Sequence, residues 1–220
     1  ILLSTAFGIN VSPDQIPREG ITKISKDDIE YASQFGYKIK LLSTAKKHND
    51  ELEFHVHPTL IPSTHPLASV SNEFNALFVK GNAVGELMLY GKGAGSMPTG
   101  SAVVGDVLEI AKIMGTDFNP SICIPQKRNG EYQLIGEGLS KYYIHLSVED
   151  KPGALGMITT AFGNNGISIE SVMQRSRGEK FVPVIYILHE CTRQQLDKTL
   201  ETISHDNTVK EIKSILRVEQ

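Results

Sequence analysis

The last eighty or so residues of this 220-residue chain carry a pattern that few folds can accommodate. Tyr142–Val148 alternates, with Ile144, Leu146 and Val148 on one face, as a half-buried strand does. Asp150-Lys151-Pro152-Gly153 then opens a helix whose Leu155, Ile158 and Phe162 fall at core spacing, and Asn164-Asn165-Gly166 closes it. Ile167–Gln174 and Phe181–His189 read as a strand pair across Arg175–Lys180. Thr192, with Gln195 three residues on, forms a capping box for a second helix bearing Leu196, Leu200 and Ile203. Val209–Val218 closes the series as a strand. The order βαββαβ predicts a ferredoxin-like arrangement, four antiparallel strands with both helices on one face.

The upstream half reads less regularly. Residues 20–36 read as a capped helix, with Ser25 as N-cap and Asp28 three residues on, and Ile29, Ala32 and Phe35 fall on one stripe before Gly36. Tyr37–Ala45 and Glu51–Leu60 suggest an antiparallel hairpin around His48-Asn49-Asp50. Pro58, Pro62 and Pro66 favour loop over strand for residues 58–70. Asn75–Lys80 and Glu86–Tyr90 are two further β-rich runs, and a glycine-rich turn leads into a helix from Pro98 to Met114. Val103, Val107, Ile110 and Met114 set the period of that helix. Residues 116–140 are punctuated by Asn, Pro and Gly, which places a domain boundary near 139: residues 1–138 before it and 139–220 after. The fold class expected is α+β (α/β), a mixed or antiparallel-sheet domain followed by the βαββαβ module.

Composition excludes several classes. A formal charge of −3 lacks the basic footprint of a nucleic-acid binder. No window approaches the roughly 18 uninterrupted apolar residues of a spanning helix, so no membrane partner is expected. Two distant cysteines, Cys123 and Cys191, fit a reducing compartment and hence a cytoplasmic protein. There is no initiator Met, and Ile1–Gly8 reads as the tail of a helix ending at a glycine cap, as expected of a piece of something longer.

Three constellations could carry chemistry. Gly91-Lys92-Gly93-Ala94-Gly95, between a strand and a helix start, lets backbone come close to a bound group, and the helix offers free N–H donors; the bland alternative is a tight turn. Lys92, the base beside it, reads as solvated or phosphate-facing. His55 and His57 share one face of a strand with His65 beyond, but no Asp, Glu or Cys completes a ligand set, so no metal is expected. The turn Asp150–Leu155 with Asn165-Gly166-Ile167 suits a carboxylate ligand at a helix N-terminus; otherwise Asp150 only caps and Pro152 only starts the helix.

Taken together, Glu19-Gly20-Ile21, Ile39-Lys40-Leu41-Leu42, His57-Pro58-Thr59-Leu60-Ile61-Pro62, His65-Pro66-Leu67-Ala68, Asn75-Ala76, Gly91-Lys92-Gly93-Ala94-Gly95 and Pro98-Thr99 with Ser101-Ala102-Val103-Val104 resemble homoserine dehydrogenase. Asp150-Lys151-Pro152-Gly153-Ala154-Leu155 is similar to the signature turn of an ACT domain, the amino-acid-sensing module. The resemblance implies an NAD- or NADP-dependent oxidoreductase interconverting L-homoserine and L-aspartate 4-semialdehyde on the way to threonine and methionine. It also implies a homo-oligomer, at least a dimer, and an amino-acid effector, threonine first. The family's Rossmann fingerprint is absent, and its acid–base lysine would fall upstream of Ile1, so no catalytic residue is assigned and the chain alone is expected to be inactive. By resemblance, Gly91, Gly93, Ala94 and Gly95 face the cofactor. Asp150, Gly153, Ala154, Leu155, Asn165 and Ile167 face the effector, and Glu19 has no assigned role. The rival reading is a non-catalytic amino-acid-binding regulator whose first half is a dimerisation scaffold.

Overall fold

A computed structural model describes residues 2–9, 11–114, 133–136, 138–175 and 178–219. The chain forms two compact units: Ile1–Pro62 together with Lys127–Gln220, and Ser63–Gln126. Contacts thus group the first sixty residues with the C-terminal module rather than with the residues that follow them. Most of the punctuated stretch 116–140 lies outside the described residues.

In the first unit the predicted module forms as expected. Its elements are β6 (Lys141–Glu149), α4 (Ala154–Asn164), β7 (Ile169–Gln174), β8 (Phe181–Leu188), α5 (Arg193–Ser204) and β9 (Val209–Val218). The strands lie in the order β9-β6-β8-β7, every neighbouring pair antiparallel. Thr192 caps α5 through its capping box with Gln195. One face of the sheet packs Ile144, Leu146 and Val148 against Ile158 and Phe162 of α4 and Leu196, Leu200 and Ile203 of α5. Each such side chain contributes about 1.5–3 kcal/mol on burial.

The opposite face is buried too. Upstream lie α1 (Leu2–Ala6), α2 (Lys26–Gln34), β1 (Tyr37–His48) and β2 (Glu51–Pro62). β1 and β2 pair as the expected hairpin, and β2 joins the module's sheet by parallel pairing of Thr59 and Leu60 with Arg217 and Val218 of β9. A two-residue strand β5 (Gln133–Leu134) also pairs with β2. Tyr31 and Ala32 of α2 and Leu60 of β2 then cover Tyr143, Ile185, Ile187, Leu216 and Val218. Beyond this, Leu3, Phe7 and Ile16 pack on Val11, Leu52 and Phe54.

Asp28 fixes which way α2 faces. Ser25 and Asp28 form the predicted capping box, but Asp28 is itself buried, at 1% exposure. Its Oδ1 accepts from Tyr143 Oη (3.0 Å) and Ser214 Oγ (2.6 Å), and lies 2.9 Å from His145 Nδ1. Its Oδ2 accepts from Ser25 N (2.9 Å) and Ser25 Oγ (2.6 Å). A carboxylate only accepts, so His145 carries its proton on Nδ1. Burial pushes the Asp28 carboxyl up, but hydrogen bonds from His145, Ser214 and Ser25 outweigh it and hold the group well below the usual carboxylate range. The expected stripe is corrected accordingly. The buried positions are Asp28, Tyr31 and Ala32, whereas Ile29 is 56% exposed, because the sheet's donors claim the face bearing Asp28.

The expectation of a loop from residue 58 is also corrected, since β2 runs through Pro58 to Pro62. Val56 donates to Pro17 and accepts from Glu19, so its backbone groups point away from β1. Pro58 has the same parity, and its missing N–H therefore costs the hairpin no bond. It falls between the bridge at Val56 and the pairing with β9 that begins at Thr59.

The second unit holds a short turn, Pro66–Ser69, the hairpin β3 (Phe74–Gly81) and β4 (Gly85–Lys92), and α3 (Ser96–Ile113). α3 starts two residues before the expected Pro98. Its predicted stripe is helical but not buried, and Val103, Val107, Ile110 and Met114 are all exposed.

Replacing Asp28 tests the clamp on α2. At pH 7 Asp28→Asn is expected to lower unfolding stability by about 2–3 kcal/mol, through lost charge-assisted bonds and unsatisfied partners. A carboxyl depressed in the folded state contributes stability above its unfolded pKa and loses it as pH falls below about 4. Urea titrations at pH 7 and pH 3 should therefore show the two proteins converging in acid. A constant gap across that range would contradict the assignment.

Candidate functional site

The glycine loop joins β4 to α3. The backbone of Gly91, Gly93, Ala94 and Gly95 is exposed, and its three glycines differ in why they are glycine. A Cβ on Gly93 would lie 1.5 Å from Asn75 Nδ2 and 2.7 Å from its Cγ, so Asn75 occupies that space. Gly93 N–H also donates to Glu73 O at 2.8 Å. Gly95 is the N-cap of α3 with φ +119°, a conformation that side-chain-bearing residues rarely adopt. Gly91 has ordinary φ and open space where a Cβ would go. Among these, Gly91 is the position at which the described residues supply no steric reason for glycine, leaving a flat patch of backbone. Lys92 is turned aside, with Nζ 3.3 Å from Glu73 Oε1 and 5.6 Å from the centre of the Phe74 ring. The loop therefore offers backbone and helix N–H groups rather than a proton carrier.

The second place is a cleft of about 360 Å³ at the start of α4, lined by residues 148–156 and Gln174. Of the predicted effector residues it brings together Asp150, Gly153, Ala154 and Leu155. Gly153 is the N-cap, left-handed at φ +87°, and no side chain caps the helix. Asp150 does not cap it either. Its Oδ1 accepts from Gln174 Nε2 at 3.1 Å, and its N–H donates to Lys180 O. Ala154 N–H turns back to Lys151 O at 3.3 Å, and the first-turn N–H groups of Leu155 and Gly156 lie at the cleft with no side-chain cap. Glu149 sits between Lys151 (2.8 Å) and Lys180 (3.5 Å). Its hydrogen bond to Lys151 holds its carboxyl below the ordinary range, and the same bond raises the Lys151 ammonium. Asn165 and Ile167 do not line this cleft. They lie beyond the other end of α4, an 11-residue helix and hence roughly 16 Å long. Asn165 Nδ2 donates to Ala161 O and its carbonyl accepts from Gln195, while Ile167 is in the core. Gln174 was not anticipated. Its signal was present in the strand period, which puts it on the face opposite Arg175.

The histidines divide as follows. His55 and His57 stack on β2 with ring centres 4.8 Å apart. His55 Nδ1 lies 3.1 Å from Glu53 Oε1, and His55 holds that carboxyl down. His65 Nδ1 accepts from Leu67 N at 3.1 Å and caps the Pro66 turn. Among the described residues no group of three or more His, Cys, Asp or Glu could hold a metal ion. Glu19, which had no role, approaches Arg217 Nη1 (3.9 Å) and Arg193 Nη1 (4.0 Å). No helix among the described residues is long and apolar enough to cross a membrane.

The βαββαβ fold with its open turn defines a protein carrying an ACT domain, and the ACT family model matches residues 142–204. The chain belongs to the homoserine dehydrogenase family, whose model, described as homoserine dehydrogenase, matches residues 1–108. The homoserine dehydrogenase of Corynebacterium glutamicum is 37% identical, aligned to all of this chain and 50% of its own length. That of Bacillus subtilis is 32% identical over the whole chain and 51% of its length. A crystal structure of a homoserine dehydrogenase from Thiobacillus denitrificans superposes with a TM-score of 0.85 at 31% identity, covering the whole chain and 51% of that protein. The S. aureus enzyme at pH 7.0 gives a TM-score of 0.66 at 28% identity, with 100% and 52% covered. The chain spans about half the length of the curated relatives it matches.

The loop glycines should separate in a substitution series read by thermal unfolding. Gly91→Ala is expected to change stability by less than about 0.5 kcal/mol. Gly93→Ala should lose about 1–2 kcal/mol by displacing Asn75, and Asn75→Ala in the same chain should restore most of it. Equal losses at Gly91 and Gly93 would show that the backbone beside Gly91 is not open.

Proposed function

We propose that this chain supplies the substrate-side and regulatory parts of an NAD(P)-dependent homoserine dehydrogenase, and that its ACT domain takes threonine. The observation that carries the regulatory half is the uncapped start of α4, opening into the cleft beside two carboxyl-bearing residues, Glu149 and Asp150. The amino acid's carboxylate accepts from the first-turn N–H groups of Leu155 and Gly156, beside Ala154, where the helix dipole favours negative charge. Its ammonium faces Asp150. Asn165 and Ile167 enter from a second copy of the chain, so the homo-oligomer implied by the family completes the site, with Ile167 contributing backbone because its side chain is committed to the core.

For the catalytic half, oxidation of homoserine removes a hydride from the alcohol carbon and a proton from its hydroxyl. The nicotinamide, when bound, accepts that hydride. The patch at Gly91 fits a flat ring, since it has open space where a side chain would stand. Gly93, Ala94 and Gly95 carry the backbone onward to the N-terminus of α3, and Gly95 allows the turn at φ +119°. Lys92, paired with Glu73, does not move the proton, and the chain alone is expected to leave homoserine unoxidised with either NAD or NADP.

Titration calorimetry of the purified chain against threonine, isoleucine and methionine tests the effector. Threonine should bind and raise the thermal midpoint, adding about 2.7 kcal/mol of stability at a hundred times its Kd. Gly153→Asp should abolish that shift by placing a carboxylate where the ligand's own would sit. Gly153→Ala, which costs about 1–2 kcal/mol at a left-handed φ, should still bind. Binding unchanged by Gly153→Asp would remove this turn as the site, and a response to isoleucine or methionine alone would reassign the effector.

A further inference from the structure

Two strands that end at the cleft also grip α2 from the far side of the sheet. β6 contributes Val148 and Glu149 to the cleft, and the same strand presents Tyr143 and His145 to Asp28 near the start of α2. At the end of β7, Gln174 donates to Asp150 in the cleft. The next residue, Arg175, donates from Nη2 to Gln34 Oε1 at 2.6 Å, and its guanidinium lies 5.9 Å from the centre of the Tyr31 ring. Successive strand residues point to opposite faces, so Gln174 and Arg175 link the two sides of the sheet through one peptide unit. α2 is thereby held at both ends, by Asp28 and by Gln34.

The helix is a sensitive reporter. It has nine residues, too few for independent stability in water, so its persistence depends on these tertiary holds. β6 also carries two register shifts against β9, between His145 and Leu146 and between Ser147 and Val148. Both lie between the cleft and the residues holding Asp28, and bulges are where a strand bends and twists.

We propose that α2 reads the occupancy of the cleft: an amino acid seated at Asp150–Leu155 orders Asp150 and Gln174, the order passes to Arg175 and along β6, and α2 opens less often. This inference rests on the reading of the cleft as an amino-acid site. Coupling of this kind is reciprocal, so loosening α2 must weaken the ligand to the same degree.

Hydrogen exchange of the whole chain, followed over residues 26–35 with and without saturating threonine, tests it, with calorimetry run on the same samples. Exchange in α2 should slow by about fivefold or more with threonine. In Arg175→Ala, an exposed position whose loss leaves the core intact, threonine should still give a heat of binding, while the slowing in α2 falls below about twofold. Threonine that binds without altering α2 exchange in the unsubstituted chain would overturn the proposal, as would full slowing in Arg175→Ala. An absence of binding heat with threonine, isoleucine and methionine would instead remove the amino-acid site, and this inference with it.

Discussion

A single carboxylate, buried and ringed by donors, is the constraint on which the first unit depends. Asp28 lies in a helix near the start of the chain, yet two of its donors come from β6 and one from β9, between 115 and 186 residues away. Burying that charge without those partners would cost several kcal/mol. With them it becomes a directional tie. α2 can sit only where Tyr143, His145 and Ser214 meet it, and in that position Tyr31 and Ala32 cover the second face of the ACT sheet. The ACT module is consequently not a separate bead. Its sheet extends through β9 into β2 and β1, and its outer face belongs to the segment that matches the dehydrogenase family.

The legible part of the fold was the part set by local rules. Capping boxes at Ser25 and Thr192 and the alternation of Ile144, Leu146 and Val148 are short-range signals, and the elements they predict formed, although the helix read over residues 20–36 is confined to Lys26–Gln34, after its Ser25 cap. What stayed hidden was non-local. Nothing near Thr59 announces its two-residue parallel pairing with Arg217. Tyr143 and His145 looked like the solvent side of an alternating strand, whereas β6 is buried on both faces. The near-continuous apolar character of Tyr142–Val148 was the available hint. Ile29 falls on the expected core stripe because it is apolar, and Asp28 reads only as the capping partner of Ser25; hydrogen bonding from the sheet buries Asp28 and leaves Ile29 exposed. Pro58 read as a break because its lost donor counts only if a neighbour needed it, and here none did.

The candidate sites show the same division. The turn Asp150–Leu155 was readable because the residues that build it are contiguous, and four of the six expected effector residues line one cleft. Asn165 and Ile167 are separated from it by the length of α4, a consequence of helix geometry that the strand-and-turn pattern already contained. At the glycine loop the sequence shows three similar residues, but the structure gives them different duties. Asn75 claims the space at Gly93 and the backbone claims Gly95, which leaves Gly91 as the open position. That distinction depends on where Asn75 lies, and no spacing rule reports it.

Native-state hydrogen exchange of the unsubstituted chain beside Asp28→Asn measures most directly whether Asp28 ties α2 to the ACT sheet. The free energy at which the amides of α2 open should fall by about 2 kcal/mol in Asp28→Asn. Opening of α2 unaltered by that substitution would contradict the account.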